Sequence, residues 1–252
     1  TLTQVVEQQM CAGNWSEINY EHVPSRAIGV HAKAFKRQDE DRFTKFKQKV
    51  ASGEAKINAG AVFPYDVVNL MNSDESLAEV QWKALPDYVQ GSDERAICVV
   101  DVSGSMEVRV SANSNVSAMD VAISLGIYTA ERIQGAFHNS FITFTANPRI
   151  IKFDDNATLA QKLLLAHSNV GYSTNLERVF DTVLNTALKH KVPESELPTK
   201  IILISDTQFN SQVGVDEGAV ESVKRKYLRA GYKVPHVVLW NVAAGIYGNT
   251  PV

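Results

Sequence analysis

The order of apolar and amphipathic segments predicts an α/β protein, a doubly wound and mainly parallel sheet with helices on both faces, preceded by a mainly helical segment. Three observations carry this prediction. The runs Ala96 to Val102 and Lys200 to Ser205 are continuously apolar and β-branched rather than alternating, as in strands covered on both faces. Longer stretches of helical periodicity separate such runs, which calls for crossover connections between parallel strands. Residues 1–92 lack these runs and carry helical stripes instead.

Residues 36–51 place Phe43, Phe46 and Val50 on one side among charged neighbours, which predicts an amphipathic helix stopped by Gly53. Residues 64–72 start with Pro64 at a first helical turn and carry Val67, Val68 and Met71. Residues 75–90 predict a third helix, bent or broken at Pro86. The polar, Gly-containing segment Val89 to Asp93 suits a linker, so the chain is divided into a helical extension, 1–92, and an α/β domain, 93–252.

In the α/β part, Ala96 to Val102 is the first strand. Met119 to Ile133 is a helix with Val121, Ala122, Leu125 and Tyr128 or Thr129 along one side. Ser140 to Phe144 and Arg149 to Phe153 are strands joined in a tight hairpin through Asn147-Pro148. Leu159 to Leu165 and Leu176 to Leu188 are helices, Lys200 to Ser205 a buried strand, Ala219 to Ala230 a helix and His236 to Trp240 a third buried strand, which would place Trp240 in the core. Open sheets of this kind bind ligands beyond the carboxyl ends of their strands, so the polar residues there are the ones to weigh.

The composition, 44% hydrophobic and 21% charged, is that of a packed globular protein. A net charge of −3 leaves no global positive field for a phosphate backbone, so no DNA partner is expected and any RNA contact has to be local. Two cysteines, Cys11 and Cys98, form neither a disulfide framework nor a CxxC site, which favours a reducing, cytoplasmic setting. No apolar stretch is long enough for a membrane helix and no signal sequence opens the chain, so no membrane partner is expected. The start at Thr1-Leu2-Thr3 and the end at Pro251-Val252, soon after a strand-like run, suggest a piece of a longer protein whose α/β domain is truncated at its C-terminus.

The first predicted strand ends in Asp101-Val102-Ser103-Gly104-Ser105-Met106, a carboxylate followed by two hydroxyls at alternating spacing. Such a turn can present three oxygens to a hard cation, with Gly104 letting the backbone bend; equally, Ser and Asp are ordinary turn formers and helix caps. A second oxygen cluster, Gly171-Tyr172-Ser173-Thr174-Asn175-Leu176, precedes a helix that Thr174 or Ser173 can cap. A third, Ile204-Ser205-Asp206-Thr207, ends the second buried strand as Asp101 ends the first. Two acids at equivalent ends of neighbouring parallel strands repel each other in a desolvated cleft unless a cation sits between them.

These three pieces in this order resemble the metal-ion-dependent adhesion site of von Willebrand factor A domains. The resemblance implies a bound Mg²⁺, with Mn²⁺ or Ca²⁺ as substitutes, ligated by Ser103, Ser105 and Thr174 and held by Asp101 and Asp206 directly or through water. It also implies one open coordination position for an acidic group on a partner. The chain departs from the common pattern in Tyr172-Ser173, where the family often has a second Gly or another Thr. A wider resemblance rests on Val23 to Ala27, Ala34-Phe35, Gly53 to Gly60, Asp206 to Phe209 and Leu239-Trp240-Asn241; these are similar to a family akin to the Ro-type ribonucleoproteins, in which a TROVE ring of helical repeats precedes an A domain. That implies that residues 1–92 are the end of a larger helical-repeat region, and that small structured RNA would be held there.

Other chemistry finds little footing. The six histidines show no HxxxH or HExxH spacing, Ser103 and Ser105 lack a GxSxG elbow, and no P-loop occurs. The five Lys and two Arg between Lys33 and Lys49 are offset by Asp39, Glu40 and Asp41. Lys224-Arg225-Lys226 with Arg229 is more purely basic, and either a phosphate contact or a solvated helix face accounts for it. The resulting expectation is a binding module rather than an enzyme, one that grips an acidic group of a protein or ribonucleoprotein partner through a divalent cation. The alternative is an RNA-binding scaffold of Ro type in which the cation is structural; metal-assisted phosphate hydrolysis comes third, for want of an evident general base.

Overall fold

The computed structural model describes residues 5–89, 95–110, 116–168, 175–206 and 217–242. The chain divides into two units, Thr1–Pro86 and Asp87–Val252.

The first unit is helical: α1 (Val6–Cys11), α2 (Ser25–Gln38), α3 (Glu40–Ser52), α4 (Pro64–Leu70) and α5 (Glu75–Lys83), with short 3₁₀ turns at Trp15–Glu17 and Tyr20–His22. Its core gathers Tyr20, Phe35, Phe43 and Phe46, whose ring centroids lie 5.1–5.5 Å apart in successive pairs. The single helix predicted over 36–51 is in fact two. Asp39 leaves helical geometry (φ −148°, ψ 48°) because its carboxylate accepts from the Tyr20 hydroxyl at 2.8 Å and from Arg42 at 3.0 Å. Arg42 then reaches back to the carbonyls of Trp15 and Ile18, at 2.6 and 2.5 Å, and so ties the first 3₁₀ turn to α3. Gly53 ends α3 in the left-handed conformation (φ 82°), the place where a residue without Cβ is favoured. The helix predicted over 75–90 stops at Lys83, ahead of Pro86; at its start Asp74 accepts from the Leu77 amide and pairs with Lys47.

The second unit is built on a five-stranded sheet in the order β3-β2-β1-β4-β5, comprising β1 (Ala96–Asp101), β2 (Ser140–Phe144), β3 (Ile150–Lys152), β4 (Lys200–Ser205) and β5 (His236–Asn241). β1, β2, β4 and β5 run parallel, and β3 folds back antiparallel on β2. The predicted doubly wound class is what the chain adopts. Four helices complete the unit: α6 (Ala118–Ala130), α7 (Leu159–His167), α8 (Leu176–His190) and α9 (Glu217–Ala230). Strand alternation sends Ile97, Val99, Ile201 and Leu203 to one face, where Val179, Val183, Val223 and Tyr227 of α8 and α9 cover them. The opposite face meets α6.

Two expectations about burial are corrected. The stripe predicted on α6 is met in part: Ala122 and Tyr128 are buried as expected, together with Ala118, Met119, Ile123, Ser124, Gly126, Ile127 and Ala130, while Val121 and Leu125 are half-buried. Gly126 stands where the helix approaches Val100 of β1 and Phe141 of β2 most closely. The third strand is not buried. Val237, Val238, Leu239 and Trp240 of β5 are 37, 43, 44 and 46% exposed, because among the described residues β5 is the outermost strand and pairs on one side only.

Candidate metal centre

The parallel register pairs Val100 of β1 with Ile204 of β4, so the two strands end side by side. Asp101 follows Val99 by two residues, as Ser205 follows Leu203, and alternation brings both side chains to the same face. The Ser205 hydroxyl donates to Asp101 Oδ2 at 2.7 Å. On the other carboxylate oxygen, the Ser103 amide donates to Asp101 Oδ1 at 2.9 Å, closing an Asx turn that directs the chain away from the strand. A 3₁₀ turn, Gly104–Glu107, follows and sets the Ser103 and Ser105 hydroxyls 3.1 Å apart. Met106 is fully buried beneath the turn, and its Sδ accepts from the Asp206 amide at 3.2 Å, which links the β1 turn to the end of β4.

Exposure is graded across this cluster. Asp101 and Asp206 are 2% exposed and Ser205 1%, whereas Ser103 is half-buried and Ser105 exposed. The two acids and the Ser205 hydroxyl therefore lie at the bottom, and the Ser103 and Ser105 hydroxyls toward solvent. Burial is the main influence on Asp101 and pushes its carboxyl above the usual carboxylate range; hydrogen bonds from Ser205 and Ser103 act the other way, and the charge of Asp206 raises it further. Among the described residues, no cationic side chain offsets the charge of Asp101.

Of the five residues expected at a metal, the structure brings together Asp101, Ser103, Ser105 and Asp206. Thr174 lies outside the described residues. The cap expected from Thr174 or Ser173 is instead supplied by Asn175, whose side chain accepts from the Arg178 amide at 3.0 Å. Ser205 was not among the expected residues, although a hydroxyl at the second strand's end on the face of Asp101 is a signal that strand alternation can find. Among the described residues, no group of three or more His, Cys, Asp or Glu forms a softer or all-acidic site. The donor set is all oxygen, two carboxylates and neighbouring hydroxyls, and this chemistry fits a hard divalent cation.

The basic cluster on α9 is drawn into local pairs. Lys226 contacts Asp181 at 2.8 Å and Glu177 at 3.2 Å, and Lys224 contacts Glu221 at 2.9 Å. No helix among the described residues is long and apolar enough to cross a membrane.

Residues 95–252 match the profile of a family described as a domain of unknown function, DUF7788, and residues 1–95 match a second such description, DUF2828. An uncharacterized protein of Acanthamoeba polyphaga mimivirus is 31% identical over 258 residues, covering 95% of this chain and 44% of that protein. The chain thus spans less than half the length of this relative. Among solved structures, the Ro (RSR) protein of Deinococcus radiodurans superposes with a TM-score of 0.54 at 12% identity, over 98% of this chain and 55% of the Ro chain. That likeness concerns the fold: the Ro protein shares this chain's succession of a helical part and a mainly parallel sheet. With the greater part of its length under one family profile, the chain belongs to the DUF7788 family.

Proposed function

We propose that this chain is a divalent-cation-dependent binding module rather than an enzyme. Asp101, Ser103, Ser105 and Asp206 would hold Mg²⁺, or Mn²⁺ or Ca²⁺ in its place, with Thr174 as the further ligand implied by the resemblance to A domains. The observation that carries this reading is the meeting of Asp101 with Ser205, Ser103 and the charge of Asp206 where two parallel strands end. The ion would supply a Lewis-acidic point able to accept an anionic oxygen. The chain's own residues do the rest. Ser205 and the Ser103 amide fix the orientation of the Asp101 carboxylate, Met106 pins the β4 end to the turn, and the neutral hydroxyls of Ser103 and Ser105 stand toward solvent, where an acidic group of a protein or ribonucleoprotein partner would approach.

The test is thermal unfolding with and without Mg²⁺. An ion at about 100 times its Kd stabilises the folded state by about 2.7 kcal/mol, a rise in Tm of roughly 5–10 °C for a domain of this size. Asp101→Ala is expected to abolish the rise. Because removing a buried, bonded carboxylate can itself unfold the chain, the exposed Ser105→Ala is the companion variant; it should keep the unliganded Tm and weaken the response. A wild-type Tm indifferent to Mg²⁺ and Mn²⁺ contradicts the reading.

A second reading, an RNA-binding scaffold with a structural cation, draws support from the two-part Ro-like fold over nearly the whole chain. Filter binding of structured small RNAs separates the two. Binding that survives chelator favours the scaffold, and loss of all binding with chelator favours the cation-dependent grip.

A further inference from the structure

A cavity of about 360 Å³ opens at the opposite edge of the sheet from the candidate metal centre. It lies where β1, β4 and β5 begin: Arg95 precedes Ala96, Thr199 precedes Lys200, and His236 is the first residue of β5. Strands of this length separate the two edges by about 17 Å, so the cavity is independent of the metal reading.

Its walls combine two kinds of chemistry. Arg95 and Lys233 supply two cations and His236 an imidazole, against the single carboxylate of Glu194. Leu197, Pro198 and Val234 make an apolar floor beside them. In a chain whose net charge is −3, this is a local reversal of sign.

The frame around these groups is rigid. The Arg95 carbonyl accepts from the Thr199 amide at 2.6 Å, the Thr199 hydroxyl at 3.0 Å and the Lys200 amide at 3.2 Å. Arg95 Nε donates to the Leu197 carbonyl at 2.8 Å, which holds the plane of the guanidinium; among the described residues nothing accepts from its two terminal nitrogens. The Lys233 amide donates to Glu194 Oε1 at 3.1 Å, so the one acid in the wall already serves the backbone. The His236 amide donates to the Thr199 carbonyl at 2.9 Å and fixes the third basic residue. An anchored guanidinium with its fork free is the arrangement that takes a phosphate or carboxylate through paired hydrogen bonds.

We propose that this cavity binds a small phosphate monoester whose organic part is no larger than one nucleoside. The dianionic head matches the excess of cations, and its three acceptor oxygens suit the Arg95 fork with Lys233 and His236 beside it. The ring or chain it carries rests on Leu197, Pro198 and Val234. The volume lies at the small end of ligand sites, about 300–1,000 Å³, and suits a ligand of mononucleotide size.

The test is isothermal titration of the full chain with UMP, ribose 5-phosphate and uridine, in the presence of a chelator so that the candidate metal centre takes no part. UMP is expected to bind more tightly than ribose 5-phosphate, and uridine to bind at least tenfold more weakly than UMP. Lys233→Glu and His236→Ala, both at exposed positions, are each expected to weaken UMP at least tenfold with unchanged Tm. Arg95→Lys tests the fork, since an ammonium keeps the charge and loses the paired geometry; a loss larger than that of Lys233→Gln is expected. Uridine binding as well as UMP, UMP binding unaffected by Lys233→Glu, or no heat from any of the three probes at millimolar concentration overturns the proposal.

Discussion

Asp101 shows how much a single position can be asked to do. It ends a buried strand, accepts from one hydroxyl and one amide, and carries a charge that burial and Asp206 both oppose. Its place at the end of a buried strand, ahead of two hydroxyls, was legible in the sequence because a carboxylate followed by hydroxyls at alternating spacing is a local pattern, as was the matching position of Asp206. The partnership with Ser205 was not, since it depends on register between strands about a hundred residues apart, which only the fold supplies. The two cysteines offer a residue-scale prediction of another kind. Cys11 is exposed, whereas Cys98 is buried in β1, and loss of solvation pushes its thiol up to about 12 against a smaller opposing effect of a Thr129 hydrogen bond. At pH 8 a thiol of that kind is ionised to roughly one part in ten thousand, and the thiolate is the reactive form. Iodoacetamide is therefore expected to label the folded chain once, at Cys11, and twice after denaturation. Equal labelling rates for both cysteines under native conditions, read by peptide mass, would contradict the described burial.

At the scale of elements, the contact between α6 and β1 decides how the sheet is covered. A Cβ on Gly126 would lie 2.5 Å from Val100 Cγ2, well inside contact distance, and Val100 is a stiff, fully buried side chain that cannot turn aside. Gly126→Ala gains about 1 kcal/mol of helix propensity but meets an overpacking penalty of about 1–3 kcal/mol, so a net loss of stability of about 1 kcal/mol is expected by urea denaturation. In a Val100→Ala background the same substitution should become neutral or stabilising, and a penalty that persists there would place the strain elsewhere. The elements that were legible beforehand share one property: their signal is local and undivided. β2 and β4 start and stop as expected because their apolar runs are bounded by polar residues, and the hairpin to β3 follows from Asn147-Pro148. The errors arise where tertiary contacts intervene. Asp39 breaks a continuous amphipathic pattern because Tyr20 and Arg42, distant in sequence or on the next turn, claim its carboxylate. β5 reads as a core strand, yet its apolar residues stay open because strand order places it at the edge, and order is invisible to composition.

For the whole molecule, the division into Thr1–Pro86 and Asp87–Val252 sets where a bound ion should be felt. Asp101, Ser103, Ser105 and Asp206 all belong to the second unit, and they join β1 to β4 at the centre of its sheet. An ion held there must be released before these strands can separate, so the slowest-exchanging amides of β1 and β4 report its affinity directly. At about 100 times Kd, opening of that sheet becomes about 100-fold rarer, and exchange limited by it slows by the same factor. The first unit contributes none of the expected ligands, and its aromatic core around Phe35 and Phe43 can open without releasing the ion. Hydrogen exchange followed by mass spectrometry, with and without Mg²⁺, is therefore expected to show strong added protection in peptides covering 96–106 and 200–206, and little change in peptides covering 25–52. Equal slowing in both regions would mean that the two units open as one cooperative block. Slowing confined to the first unit would mean that the cation acts through residues other than Asp101 and Asp206, and the acid pair at the strand ends would then need another explanation.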